Sequence, residues 1–316
     1  MKVYPYKGRK VLETDEFGSN STKGNSMIEK WNSYRALAAD VVVRKFRSMA
    51  LVTLIAAAAA TPALAQDKGV LDEGTLTVAA TASFPPIVSV DTNGAYVGID
   101  ADIVEAIAKQ AGLKIKWVNI KFDSIIPGIS AKRFDVGMTG ITDTVEREKV
   151  IDFVNYANVG SGIIVQAGNP KGVSKLADIC GLIVASQTGD VATTYANEQS
   201  KKCVAEGRQP VVVNEFPEAT QSMLQLQNGR ADIIIHDYPL SAYQVQHSGG
   251  KLQLAGGQFS EAPYGMAIFK GNTALRQTLM SGLDAIIANG EYGKILDKYG
   301  VAEIGIKKAT YNAASK

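Results

Sequence analysis

Residues 138–149, MTGITDTVEREK, bring together side chains suited to hold a small anion. The hydroxyls of Thr142 and Thr144 and the guanidinium of Arg147 lie where an apolar strand, residues 134–138, gives way to a helix opened by Asp143 or Thr144. Asp143 followed by Glu146 has capping-box spacing, which gives the helix start a mechanism. A helix N-terminus offers free N–H donors and an arginine fork adds a planar pair, so a carboxylate fits there. The competing reading is a solvated first turn with Arg147 paired to Glu146, Glu148 or Asp152, a pairing worth little at a surface.

The elements that must position this turn alternate along the chain. A strand at residues 76–80 stops at TASFPP (81–86), through which neither helix nor ladder continues. Asn93-Gly94 marks a hairpin between residues 87–90 and 96–97. A helix follows from Asp100, its cap, with Ile103, Val104, Ile107, Ala108 and Ala111 as apolar stripe and Gly112 as its end. Residues 113–118 alternate as a strand, and Phe122-Asp123 opens another helix with Asp123 as cap. Strands alternating with helices predict an α/β fold with mixed, mostly parallel sheets.

The pattern then recurs. Ile126-x-x-Ile129-x-x-x-Arg133-Phe134-Asp135-Val136 matches Met223-x-x-Leu226-x-x-x-Arg230-Ala231-Asp232-Ile233, and Leu76-Thr77-Val78-Ala79 matches Leu182-Ile183-Val184-Ala185. Two similar lobes are expected, residues 70–160 plus 262–300 and residues 163–258, joined by two crossovers with hinges at 158–165 and 256–264. One helix from Asn272 to Tyr299 is expected to return to the first lobe, with residues 301–316 as a loose tail. Ligands of open α/β sheets bind outside the carboxyl ends of the strands. That rule gathers residues 81–84, 139–147, 188–191 and 236–237 around one crevice, with Arg147 on one lobe facing Asp237 on the other. A zwitterionic small molecule fits between them.

The N-terminal region differs in character. Arg44-Lys45-Phe46-Arg47, an apolar run at 49–60 and Ala63-Leu64-Ala65 have the order of a secretory signal peptide, with cleavage expected after Ala65. Residues 1–43 are polar and aperiodic, and are expected to be a non-native extension ahead of a start near Val43. The chain from Gln66 keeps 23 Lys/Arg against 26 Asp/Glu, which gives no reason to expect nucleic-acid binding. Residue 66 is not cysteine, so a lipid anchor is not indicated, and a soluble periplasmic protein is expected. Cys180 and Cys203 are too far apart for a CxxC pair; a disulfide between them is expected, two buried thiols being the alternative. Two histidines are too few for a usual zinc cluster, and no metal or cofactor is expected.

From Leu71 to Tyr299 the chain resembles the polar amino-acid-binding proteins of bacterial ABC importers, the lysine/arginine/ornithine-, histidine- and glutamine-binding group. The stretches that carry the resemblance are TASFPP (81–86), VGIDADI (97–103), FDSIIPGI (122–129), TDTVEREKVIDF (142–153) and GRADIIIHDYP (229–239). It implies a type II periplasmic binding-protein fold, a monomer, and a permease partner in the cytoplasmic membrane. It also implies that Arg147 and Thr142 hold an α-carboxylate with backbone N–H groups near Gly140 and Val191, while Asp237 takes the ammonium. Phe84 and Phe122 would sandwich the side chain, with Thr81, Thr188 and His236 close by. His236 beside Asp237 resembles the glutamine-binding members, but both these and the basic-amino-acid binders usually carry an acid where this chain has Thr81. That difference argues against lysine or arginine, leaves glutamine open, and points to a neutral polar amino acid. The same fold resembles periplasmic cyclohexadienyl (arogenate/prephenate) dehydratases, for which His236 would be the available acid or base. No G-x-S-x-G, H-E-x-x-H or Walker sequence is present, and a binding protein that captures its ligand by closure is the expectation.

Overall fold

The computed structural model describes residues 67–314. The leader, its cleavage site and the extension before it lie outside the described residues. The first half forms β1 (Thr75–Ala80), β2 (Ser83–Phe84), β3 (Val88–Val90), β4 (Tyr96–Val97), α1 (Ile99–Gln110), β5 (Lys114–Asn119), α2 (Ile125–Ser130), β6 (Val136–Gly137), α3 (Val145–Glu148) and β7 (Ile151–Gln166). The second forms β8 (Ile183–Gln187), α4 (Val191–Ala205), β9 (Val212–Phe216), α5 (Ala219–Gln227), β10 (Ile233–Asp237), α6 (Tyr238–Gln246), β11 (Leu252–Phe269), α7 (Thr273–Ala288), α8 (Glu291–Tyr299) and β12 (Thr310–Tyr311).

The sheet repeats one arrangement twice. β1 lies parallel between β5 and β6, and β8 lies parallel between β9 and β10. β6 then joins β11 and β10 joins β7, both antiparallel, while β7 and β11 run antiparallel to each other through both halves. Instead of two separate sheets, one path results, β5-β1-β6-β11-β7-β10-β8-β9. The β7–β11 register shifts between Ala255 and Phe259, between Phe259 and Ala262, and between Tyr264 and Gly265, within the stretch read as a hinge. Gly256 has φ 72° there, a conformation that an L side chain rarely adopts.

The internal repeat has a physical basis. Asp135 Oδ2 accepts from Thr77 N–H at 2.7 Å, and Asp232 Oδ2 accepts from Ile183 N–H at 2.9 Å. In each half the aspartate just before one strand satisfies the backbone of the half's first strand, which fixes the register of the pair. Burial follows the same division. Ile103, Val104 and Ile107 of α1 pack with Leu275, Leu279 and Leu283 of α7, where Gly282 lets the helices meet: a Cβ there would lie 2.8 Å from Ile107. Ile163, Val184, Ala196, Ile233 and Ile235 centre the other half. No helix among the described residues is long and apolar enough to cross a membrane.

Several local expectations are corrected. Gly98 is the N-cap of α1, and Asp100 turns inward instead of capping. Phe122–Ser124 is a 3₁₀ turn leading into α2, and Asp123 makes no cap. The expected single C-terminal helix breaks into α7 and α8 at Asn289-Gly290, where Gly290 takes φ 78°. The segment after Ala302 is not loose: it forms a 3₁₀ turn at Ala302–Ile304 and then β12, which pairs with β7.

Candidate functional site

The anion-holding turn forms as a short, tightly tied loop. Thr144 is the N-cap of α3 and its Oγ1 accepts from Arg147 N–H at 3.2 Å. Asp143 does not cap; its buried carboxylate accepts from Asn155 Nδ2 at 2.9 Å, and burial raises its pKa to about 6. The Glu146 carboxylate pairs with Lys149, which leaves Arg147 for the crevice. Arg147 Nη1 donates to the Thr142 carbonyl at 2.6 Å, and Nη2 crosses to the Gly189 carbonyl of the other lobe at 2.8 Å. Its Cζ lies 5.7 Å from the centroid of the half-buried Phe122 ring.

The opposing lobe presents the ends of β8 and β10. Asp190 caps α4 through Ala192 N–H at 2.9 Å, and its other oxygen lies 3.1 Å from His236 Nδ1. Val191 is the first residue of α4, where N–H groups have no partner within the helix. Thr188 N–H is committed to the Phe216 carbonyl at 2.8 Å. His236 is fully buried, its Nε2 has no hydrogen-bond partner among the described residues, and its ring meets Phe84 edge-on at 6.3 Å.

Asp237 ends β10 at the N-cap position of α6, yet its side chain makes no capping bond. Burial, and then repulsion from Asp190, raise its pKa to about 7; Tyr264, His236 and Arg147 pull the other way without cancelling them. The buried Tyr264 hydroxyl approaches Asp237 closely enough for each to shift the other's titration, but has no partner of good hydrogen-bond geometry among the described residues. Among the described residues, two buried polar atoms, Tyr264 Oη and His236 Nε2, thus lack partners, and Tyr264 lies beside the Asp237 carboxyl with its pKa of about 7.

Gly140 has a different role from the one expected of its N–H. That N–H donates to Asp100 Oδ2 at 2.7 Å, and Asp100 Oδ1 accepts from the Tyr156 hydroxyl at 2.6 Å. Gly140 has φ 66° and forms part of the floor: a Cβ there would lie 3.1 Å from Tyr264 and 3.3 Å from Phe84. Asp100 sits in a fully buried site, which lifts its pKa to about 7. Thr81 is buried, its Oγ1 donating to the Ile120 carbonyl at 3.0 Å, and it lines a cavity of about 450 Å³ with Ser83, Asn119, Lys121 and Glu218. Ser83 Oγ donates across the crevice to Glu218 Oε2 at 3.3 Å.

The sequence reading missed Asp190 as a partner of His236, and also Tyr264, Asp100 and Glu218. Asp190 had signalled only a helix start, and the others carry no local spacing that marks a site. Of the residues singled out in the sequence, Thr81 follows β1, Gly140, Thr142 and Arg147 follow β6, Thr188 and Val191 follow β8, His236 and Asp237 end β10, Phe84 lies in β2, and Phe122 opens the 3₁₀ turn before α2.

Residues 76–302 match the bacterial extracellular solute-binding proteins, family 3. The chain belongs to that family. It is 31% identical to the arginine-binding protein ArgT of Corynebacterium glutamicum over 240 residues, 76% of this chain and 78% of that protein. Among solved structures, an ancestral arginine-binding protein bound to arginine is similar with a TM-score of 0.66 and 33% identity, covering 72% of this chain and 98% of that one. An ancestral amino acid-binding protein, AncCDT-1, a precursor of cyclohexadienyl dehydratase, gives a TM-score of 0.64 and 30% identity over 72% of this chain and 95% of its own. The family-3 chain therefore has relatives named as binding proteins and a structural neighbour named as the precursor of an enzyme.

Proposed function

We propose that this family-3 protein captures one amino acid with a neutral polar side chain and presents it, lobes closed, to the permease of an ABC importer outside the cytoplasmic membrane. Supporting it, Arg147 and Asp237 come from different lobes and lie close enough for each charge to shift the other's titration, and the guanidinium bonds the Gly189 carbonyl of the lobe that carries Asp237. A ligand α-carboxylate on Arg147 and α-ammonium on Asp237 would contact both lobes at once, so binding favours the closed arrangement by differential affinity. Thr142 and the Val191 N–H would help to hold the carboxylate, the next two N–H groups of α4 being taken by Asp190, and Phe84 and Phe122 would flank the side chain.

The neutral side chain follows from charge. A zwitterion uses both Arg147 and Asp237, and Asp190 is engaged with His236. Farther along the crevice, Thr81 is uncharged, and Lys121 and Glu218 line the same cavity with opposite signs. The test is a thermal-shift series over the twenty amino acids: glutamine, asparagine, serine or threonine should raise the melting temperature more than arginine or lysine, because only ligands of the native state stabilise it. A larger shift with arginine would overturn the neutral assignment and keep the binding-protein one.

A second reading, a dehydratase acting on an arogenate-like substrate, is favoured by the buried His236 held by Asp190, an arrangement suited to proton transfer. Against it, Asp237 would be occupied by the ammonium. Formation of phenylalanine on incubation with arogenate, lost in His236→Ala, would establish the enzyme.

A further inference from the structure

The C-terminal segment reaches from the helical layer to the anion-holding turn. β12 pairs antiparallel with β7, Thr310 opposite Asn155 and Tyr311 opposite Val154. Asn312 then grips Phe153 from two sides: its Oδ1 accepts from Phe153 N–H at 2.8 Å, and its own N–H donates to the Phe153 carbonyl at 3.2 Å. Its Nδ2 donates to Asp152 Oδ1 at 3.0 Å. Ala313 N–H donates to Asp143 Oδ2 at 2.8 Å, and Ala314 N–H to Glu148 Oε1 at 3.2 Å.

Asp143 is where these ties converge. The same Oδ2 accepts from Asn155 Nδ2 on β7, and Asp143 N–H donates to the Pro263 carbonyl on β11 at 2.8 Å. Its neighbour Thr142 forms an isolated bridge with Tyr264. One residue thus ties the loop that carries Arg147 to the tail and β7 through its carboxylate, and to β11 through its backbone N–H. That loop has little structure of its own, because α3 is only 4 residues long and a single helical turn is not stable alone.

We infer that residues 310–314 are a brace that positions the Thr142–Arg147 turn for the ligand, with Asn312 and Asp143 as its positioning residues. The inference rests on Arg147 being the anchor for the ligand's carboxylate. The brace acts by removing loop freedom before binding, so that binding does not have to order the turn itself. It lies behind the turn, bonded to Asp143 and Glu148, while the guanidinium faces forward across the crevice.

The test compares the intact chain with a truncation after Ala309 and with Asn312→Ala, which keeps full length. In ligand-free protein, amide exchange over residues 138–149 should rise about tenfold in the truncation and less in Asn312→Ala, with α4 exchanging as before. Affinity for the bound amino acid should fall about tenfold in the truncation, and Asn312→Ala should fall between it and the intact chain. Unchanged exchange over 138–149, or an equal rise in α4, overturns the brace, the second by reducing the tail to a general stabiliser. Should the intact chain bind no amino acid, the functional reading falls, and exchange over 138–149 alone decides whether the brace exists.

Discussion

Arg147 Nη2 of one lobe donates to the Gly189 carbonyl of the other at 2.8 Å, one residue before Asp190 and two before the first turn of α4. The same guanidinium holds the Thr142 carbonyl at 2.6 Å, so its fork is aimed by its own loop while it spans the crevice. Arg147→Ala should therefore weaken amino-acid binding by about a hundredfold or more, the cost of leaving a ligand carboxylate without its partner. Arg147→Lys keeps the charge but loses the planar fork, and should recover only part of that loss. Calorimetric affinities within a few-fold of the unmodified protein would reject the assignment.

Asp237 couples binding to pH. Its pKa is raised from 3.8 to about 7 by burial and by Asp190, so in the ligand-free protein it is largely protonated at pH 5 and ionised at pH 8. An α-ammonium needs the ionised form, so affinity should fall by about tenfold or more from pH 8 to pH 5. Asp237→Asn should bind weakly at both pH values and lose the slope, read by titration calorimetry.

The same shift bears on stability with the opposite sign. A carboxyl whose folded pKa lies above its unfolded one contributes stability that is fully present below about pH 4 and is lost as pH rises through the folded value. Asp237, with a folded pKa of about 7, therefore works against the ligand-free fold at pH 8. Asp237→Asn should raise the ligand-free melting temperature at pH 8 and leave it nearly unchanged at pH 4. A lower melting temperature at pH 8 would contradict the burial argument.

Much of this arrangement was legible before any coordinates. The strand-end rule put Arg147 in the turn after β6 and Asp237 at the end of β10, near enough to influence each other, because topology, not contact detail, decides where strands end. The repeated Asp135 and Asp232 signalled two halves because each caps its own half's first strand. The missed caps share one cause. Asp100 and Asp143 had good local reasons to cap helices, but long-range donors, Gly140 N–H and Asn155 Nδ2, took their side chains instead. Contacts 12 and 40 residues apart leave no local spacing to read, and the tail's attachment to β7 is of that kind. The break at Asn289-Gly290 was different: the turn signal was present, but helix-forming residues on either side concealed it.

Cys180 and Cys203 form a disulfide across a separation of 23 residues, tying the turn before β8 to the last turn of α4. Replacing both by serine should cost about 2–4 kcal/mol of stability, measured by urea unfolding. Ligand affinity should remain within about threefold, since α4 meets the crevice at its other end.

Glu218 offers a check on the ligand's charge. It accepts from Ser83 across the crevice at 3.3 Å and is part-exposed, so as a latch it contributes little. With a neutral ligand, Glu218→Gln should leave affinity within about twofold. A loss of tenfold or more would point to a cationic side chain seated against this carboxylate.

The central claim, that one small zwitterion is gripped by Arg147 from one lobe and Asp237 from the other, is tested most directly by titration calorimetry at pH 8. The titrant is the amino acid that gives the largest thermal shift, and the unmodified protein is compared with Arg147→Ala and Asp237→Asn. Saturable binding at one site, lost in each variant while both still melt cooperatively, is the predicted result. Undiminished affinity in either variant, or no binding of any amino acid by the unmodified protein, would contradict it.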